Sequence, residues 1–456
     1  MYRGGMRKDR AAGKIALSSK QPDTPKNRHG DGATHEREKS LTMSNNKGAL
    51  RKNASFQALW VAGAFSTLGA EIIRIATPLA VLAATGSPLY AGIVGGMLVA
   101  TMLLTQISAG VLVDSRNRRR ILRWAQVGQL GNAAALLLVM YATDLVAVPL
   151  AIYAVIEGVC QAFLRPSREV AIRAIVPTEQ LPSAFAQEEA RLHVAKAVGP
   201  AISAGLFGAM FLLPFGSAIV GFSVAAILTV LARVPAWPES RTGQEKRAQT
   251  SGQVAAAREA LSWLLRQSGL REFCAVLMVM NCLGGAFLVP LLSMQEEAGV
   301  QPAQTGLVLS SIGIGGIIGA TISGHATRLL RPGLLAALVP MIFGACLCLA
   351  TLPLGDLWPM VPIFLFSITT PFLNVASATI VAQLVPHDML GRVGALLTVS
   401  GYLLAPLGPV LGGGIATAIG GSGALLVVGA LLTITGIVAI GSRRLRELTA
   451  EIASAG

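Results

Sequence analysis

Glu71, Arg74 and Glu157 stand inside stretches that are otherwise apolar, and Asp114 closes another such stretch. A charge at the centre of a membrane-crossing helix costs roughly 2.5–3.5 kcal/mol on insertion scales, so each needs a partner or a water-filled cavity. Glu71 and Arg74 are three apart and share one helix face, which leaves two readings open. Either they neutralise each other as a structural pair, or they line a cavity. In a cavity, Arg74 could bind an anionic substrate or hold Glu71 until a proton or cation displaces it. Glu157 has Tyr153 at i−4 and Gln161 at i+4, with no basic neighbour on its own helix. A carboxyl without a counter-ion in such surroundings suits two roles: it takes up and releases protons, as proton-coupled transport requires, or it stays protonated and hydrogen-bonded.

The composition says what must position these groups. Of 456 residues, 53% are hydrophobic and 13% charged, and the formal net charge is +14. Soluble chains carry about a quarter charged residues, so the composition points away from a water-soluble enzyme. A nucleic-acid binder would not set its basic residues among runs of Leu, Val, Ala and Gly. The 50 Gly and 23 Pro follow no short period, which excludes a collagen-like chain. Cys160, Cys274, Cys282, Cys346 and Cys348 all fall in apolar segments without metal-ligating neighbours, so neither a disulfide framework nor a metal site is expected. No cofactor is implied.

Apolar segments near the ~20 residues that span ~30 Å of hydrocarbon recur along the chain. They predict helices over 57–82, 90–113, 120–141, 146–164, 192–213, 216–234, 272–294, 304–325, 333–353, 357–382, 392–417 and 422–442. The fold class is therefore all-α membrane protein, with twelve transmembrane helices in two six-helix pseudo-symmetric bundles, 55–234 and 272–442. Residues 1–54 read as a disordered basic cytoplasmic tail without the apolar core of a signal peptide, and Met43 opens a more ordinary start. Residues 235–271 are expected to form a hydrophilic cytoplasmic linker, part of it a helix lying along the membrane surface, and 443–456 a second cytoplasmic tail. The 114–123 loop has five Arg, and the connection expected at 165–191, the linker and the region around Arg392 are basic too. The intervening loops at 84–89, 142–145, 214–215, 295–303, 354–356 and 418–421 have no Lys or Arg. Basic loops stay inside, so both termini are expected in the cytoplasm. In helix 5, His193 and Lys196 read as snorkelling to the interface. Gln106, Gln126, Asn132, Asn281, Asn374 and Gln383 are candidates for lining a cavity or for interhelical hydrogen bonds.

The halves repeat each other. Gly92 and Gly110 recur as Gly306 and Gly324, each 214 positions on (306 − 92 and 324 − 110). Val176-Pro177 and Gly199-Pro200 recur as Val385-Pro386 and Gly408-Pro409, each 209 on (385 − 176 and 408 − 199). Parallel six-helix repeats suit alternating access by rocking.

Gly110-Val-Leu-Val-Asp114-Ser-Arg116-Asn-Arg118-Arg119-Arg120 lies at the predicted turn between helices 2 and 3. It resembles the signature loop of the major facilitator superfamily, in which Gly permits close helix approach, Asp ends helix 2 and basic residues open helix 3. Ser55-Phe-Gln-Ala-Leu-Trp60, Thr85-Gly-Ser-Pro-Leu and Val385-Pro-His-Asp-Met-Leu-Gly-Arg-Val393 narrow the resemblance to the bacterial drug-efflux branch that includes macrolide and enterobactin-type exporters. Ser115 and Asn117 depart from the Asp-Arg-x-Asp-Arg-Arg usual in that branch, and Ala70 stands where helix 1 commonly has Asp. A carboxylate at Asp114 could face the positive N-terminal end of helix 11, with Arg392 near in sequence, and latch the cytoplasmic side. The resemblance implies the same gate, with Gly110, Arg118 and Arg119. Antiporters of the superfamily resemble one another in a Gly-Pro-x-x-Gly-Gly motif in helix 5. Here helix 5 has Gly199-Pro200 alone, while helix 11 has the full pattern, Gly408-Pro409-Val-Leu-Gly412-Gly413. Either a rocker hinge or seal, or tight helix packing only, explains it.

The expected function is secondary active export of an amphipathic small molecule by proton antiport, in the inner membrane of a bacterium. No Gly-x-x-x-x-Gly-Lys-Ser/Thr sequence is present, so an ion gradient must supply the energy. An importer or a translocator of lipid-like substrates is the alternative within the same fold. An intramembrane enzyme would need His-Glu-x-x-His or paired aspartates, and neither occurs in the spans. The expected partners are substrate, protons and lipid, with no nucleic acid, and the chain is expected to act as a monomer.

Overall fold

The computed structural model describes Leu50 and residues 53–115, 118–143, 145–232, 234–235, 258–259, 261–385 and 390–445. The expectations for the N-terminal tail, most of the linker and the C-terminal tail lie outside the described residues.

Six helices form the N-terminal bundle: α1 Ala54–Thr85, α2 Pro88–Ser115, α3 Arg118–Ala142, α4 Ala147–Ile175, α5 Leu181–Ala209 and α6 Leu213–Leu231. The C-terminal bundle begins with α7, which is Ser268–Gly285 continued after a break by Leu288–Glu297. It goes on with α8 Pro302–Leu329, α9 Pro332–Ala350 and α10 Met360–Leu384. The eleventh pass, α11, starts as Leu390–Tyr402 and resumes in the helical stretch Leu407–Gly441. That stretch leaves helical geometry at Gly420 (φ 77, ψ 167), which divides it into the outer part of α11 and the last pass, α12, over 421–441. Val393 and Leu397 before the break share a core cluster with Ala439 after it, so the chain reverses there. Twelve passes result among the described residues, as the apolar segments predict. In hydrocarbon every backbone polar group must be satisfied within the segment, which is why each apolar run becomes a helix.

Local signals set the ends. Asn53 caps α1 by accepting from the Phe56 N–H at 3.0 Å, and its amide donates to the Ile175 carbonyl at 2.9 Å, tying α1 to the end of α4. Gly86 closes α1 in the left-handed region (φ 63). Prolines open α2, α8 and α9, where a missing N–H costs nothing.

One expectation is overturned. The connection expected at 165–191 is helix for most of its length: α4 runs on to Ile175 and α5 already begins at Leu181, leaving a short turn with a 3-10 segment at Thr178–Gln180. The charges that read as loop lie on these extensions, where some pair along the helix, as Arg165 does with Glu169 at 3.2 Å.

The repeat is visible in these same bounds. Ile175 and Leu384 end α4 and α10, and Leu181 and Leu390 begin α5 and α11, each pair 209 apart (384 − 175 and 390 − 181). Among the described residues each bundle has two apolar clusters, at opposite ends of its helices. In the N-terminal bundle, Ile73, Val94, Leu136, Leu150, Phe215 and Phe222 fill one, and Phe56, Leu59, Leu122, Leu164 and Ile172 the other.

Candidate functional site

The bundles meet along two seams, α2 with α11 and α5 with α8. At the first, a β-carbon on Gly92 would overlap the Pro409 carbonyl oxygen, and one on Gly413 would overlap that of Pro88. At the second, a β-carbon on Gly306 would lie 2.9 Å from the Pro200 carbonyl oxygen and 2.6 Å from the Ala204 methyl. Gly313 meets Ala197 of α5 just as tightly. The Leu89 N–H donates to Thr417 Oγ1 at 3.0 Å across the first seam. Ile75 and Leu82 of α1 pack into a cluster of the C-terminal bundle, and Val289 of α7 into one of the N-terminal bundle. These contacts run from the helix ends at the Lys- and Arg-free loops toward the middle of the spans. The bundles are therefore closed against each other on that side.

The Gly-Pro motifs divide their work by position. In α11, Gly408 and Gly412 lie against the Cys282 and Ala286 carbonyls of α7 in their own bundle, while Pro409 and Gly413 face α2 of the other bundle. In α5, Gly199 lies against Glu71 of α1 and Ser203 donates to the Ile72 carbonyl at 2.7 Å, both within the bundle. Pro200 and Ala204 face α8 across the seam. Each half thus uses the same four places alike, with small residues where backbones touch.

Glu71 and Arg74 are brought together. Arg74 donates to Glu71 Oε2 through Nε at 2.8 Å and Nη2 at 2.5 Å. Glu71 is buried, whereas the Arg74 side chain is 43% exposed. Glu71 backs on Gly199 and the neighbouring Ile75 packs into the C-terminal bundle, so this face of α1 borders the junction of the bundles.

Glu157 is only 3% exposed and lies inside the N-terminal bundle. Its Oε1 accepts from Gln129 Nε2 at 2.7 Å and from Gln161 Nε2 at 2.8 Å. Gln129 Oε1 in turn accepts from Ser66 of α1 at 2.8 Å and from Gln126 at 3.0 Å. Glu157 Oε2 and the Tyr153 hydroxyl are buried without a hydrogen bond among the described residues. No cation among the described residues is bonded to Glu157, so the network can hold a carboxyl in either protonation state. Gln126 and Asn132 serve this interior rather than a cavity, since Asn132 donates to the Tyr153 carbonyl at 3.1 Å. Asn281 donates across to the Gly401 carbonyl at 3.1 Å, joining α7 to α11. Gln129 escaped the reading of the sequence. Its signal is the spacing 126, 129, 132, a polar stripe on one face of an apolar helix.

A second missed group is Arg168 and Arg191, 8% and 5% exposed, in the segment that read as loop. Arg191 Nη1 donates to Thr67 Oγ1 of α1 and Nη2 to Glu188 Oε2, both at 2.6 Å. Both guanidinia pack on Gly63, where a β-carbon would come within 2.9 Å of Arg191 Cζ and 3.1 Å of Arg168 Cζ. The signal available in the sequence was the offset of 209, which maps both positions into predicted helices.

Asp114 lies in the last turn of α2 and Arg392 in the first turn of α11. The side chains of Gly110, Asp114, Arg118 and Arg392 fall outside the described residues, while Arg119, in the first turn of α3, is partly buried.

A family model described as transmembrane secretion effector matches residues 48–455. The enterobactin exporter EntS of Escherichia coli O6:K15:H31 (strain 536 / UPEC) is 24% identical over 430 residues, covering 90% of this chain and 98% of the relative. The multidrug efflux pump Tap of Mycolicibacterium fortuitum is 26% identical over 393 residues, covering 83% and 93%. Among solved structures, a peptide transporter POT in complex with sulfate matches with a TM-score of 0.71 at 12% identity, over 87% of this chain and 96% of the other. An inward-facing, unoccupied bacterial homologue of the human lysosomal transporter Spinster matches at 0.62 and 15% identity, over 88% and 96%. Identities so low speak for the fold alone. With twelve passes in two repeated bundles and a family match over nearly its whole length, the chain belongs to the transmembrane secretion effector family of the major facilitator superfamily.

Proposed function

We propose that this transporter exports an amphipathic small molecule from the cytoplasm by proton antiport, with Glu157 as the proton-carrying group. The observation that supports it most is the environment of Glu157: a buried carboxyl with two amide donors on one oxygen, the Tyr153 hydroxyl one turn away, and no bonded cation among the described residues. Such a group can gain and lose a proton without breaking an ion pair. Gln129 and Ser66 link it to α1, the helix that carries Glu71 and Arg74 at the junction of the bundles. Protonation of Glu157 thereby bears on the helix nearest the substrate path, and Arg74 and Glu71 are the groups offered to the substrate there. The direction, outward, comes from the relatives named an exporter and an efflux pump.

Loops rich in Lys and Arg support a topology with both termini in the cytoplasm. On that topology the closed seams lie on the outer side, so the conformation is the one that loads from the cytoplasm. Asp114, with Gly110, Arg118, Arg119 and Arg392, forms the opposing cytoplasmic latch of the outward-facing state. Gly199-Pro200 and Gly408-Pro409 are where the seams open. One chain contains both halves of the rocker, so a monomer suffices.

The test is a panel of amphipathic compounds added to inside-out vesicles with a pH-reporting dye. Substrate-evoked proton release from the vesicle lumen is the expected result. Greater drug accumulation in intact cells that express the protein would contradict export.

A further inference from the structure

Arg168 and Arg191 place two positive charges inside the N-terminal bundle beside one carboxylate, Glu188. Arg191 takes that carboxylate and Thr67 as partners. Arg168 makes no hydrogen bond to another described residue, and its Nε is buried without a partner. One positive charge is therefore left over in a place where burying an unpaired ion costs several kcal/mol.

The fold does not require it. The repeat sets Ser377 and Ser400 in the C-terminal bundle at the places of Arg168 and Arg191 (377 − 168 and 400 − 191, both 209). Ser377 donates to the Leu373 carbonyl at 2.7 Å and Ser400 to that of Leu397 at 3.2 Å, each within its own helix. The same helix arrangement is thus built in one half with neutral hydroxyls and in the other with buried guanidinia. A costly difference that packing does not demand marks a site.

We propose that Arg168 and Arg191 form a binding site for the oxyanion of an amphipathic ligand, a phosphate or carboxylate group, between α1, α4 and α5. Guanidinia grip such groups through paired N–H donors. Glu188 Oε1, buried and also unpartnered, is an acceptor for a hydroxyl on or beside the anion. Gly63 is the floor of the site, since any side chain there would displace both guanidinia. Only the naming of that ligand as cargo rests on the export reading; the site itself does not.

The test uses the full chain in phosphatidylcholine nanodiscs, titrated with 1-naphthyl phosphate and, as controls, 1-naphthol and 1-naphthylmethylammonium. Binding is read by calorimetry and thermal stabilisation. The phosphate should bind in preference to both controls. Arg168→Ser, which copies the other half of the molecule and should fold, should weaken it about tenfold or more. Arg168→Lys should retain part of the affinity, and weak binding of 1-naphthol should not change. Loss of the probe's binding when phosphatidylglycerol is included would assign the oxyanion to a lipid headgroup, and persistence would assign it to a soluble ligand. Equal binding of phosphate and ammonium, or an unchanged affinity in Arg168→Ser, would overturn the proposal. Neither result bears on proton coupling at Glu157, which is measured separately.

Discussion

Gly92 of α2 lies so close to the carbonyl oxygen of Pro409 in α11 that no β-carbon fits between them. Its repeat partner Gly306 stands in the same relation to Pro200. The two sequence repeats, Gly92 with Gly306 and Gly199-Pro200 with Gly408-Pro409, are thus the two sides of one symmetric contact. Each glycine of the first repeat meets a proline of the second, taken from the opposite bundle. That pairing makes the seams rigid-body surfaces between two halves repeated about an axis along the membrane normal, an arrangement that suits alternating access by rocking.

Gly92→Ala and Gly306→Ala should each force the seam apart, costing about 1–3 kcal/mol. The control is Gly131→Ala in α3, where a β-carbon meets nothing within 4 Å. There the change should be neutral or stabilise by up to about 1 kcal/mol, through helix propensity. Thermal unfolding of the purified proteins checks both. Equal behaviour of the three variants would show that the seams are not close-packed.

Glu71 and Arg74 should respond as a coupled pair. Removing Arg74 leaves a buried carboxylate alone, so Arg74→Gln should destabilise by about 1–3 kcal/mol, a range lowered because the arginine is partly exposed. The double variant Glu71→Gln with Arg74→Gln should recover most of that stability and still transport poorly, because the pair borders the junction of the bundles. A thermodynamic cycle with transport measured in parallel separates the two effects. Full transport in the double variant would make the pair structural only.

At the far end of α7, both carboxylate oxygens of Glu297 accept from the Gly421 N–H, at 3.0 and 3.2 Å, and Ser293 donates to Oε1 at 2.7 Å. A carboxylate at the first residue of α12 completes the orphan N–H groups and meets the positive end of the helix dipole. Glu297→Ala should therefore cost about 1 kcal/mol. Hydrogen exchange at the start of α12 should accelerate, and unchanged exchange there would remove this role.

Much of the fold was legible because hydrocarbon allows so few structures: twelve apolar runs had to be twelve helices. The repeat offsets were legible as well, since Gly and Pro are kept at backbone contacts that admit nothing larger. The 165–191 segment was not. Arg165, Arg168, Glu169, Arg173, Glu188, Glu189 and Arg191 crowd it with charge, and hydropathy cannot tell a helix that buries guanidinia inward from a polar loop. Glu157 stood out as an isolated acid with Gln161 one turn on along the same helix, whereas its partner Gln129 did not. Gln129 looks like any neutral polar residue until α3 and α4 are placed side by side.

The most direct measurement is substrate-evoked proton flux in inside-out vesicles for Glu157→Gln, using the compound of the panel that gives the largest wild-type response. Glutamine keeps the shape of the side chain and can stay within the Gln129–Gln161 network, so the protein should insert, fold and bind the compound. Its proton flux should be abolished, because the amide cannot exchange a proton. Wild-type flux in Glu157→Gln would contradict the assignment of Glu157 as the proton carrier.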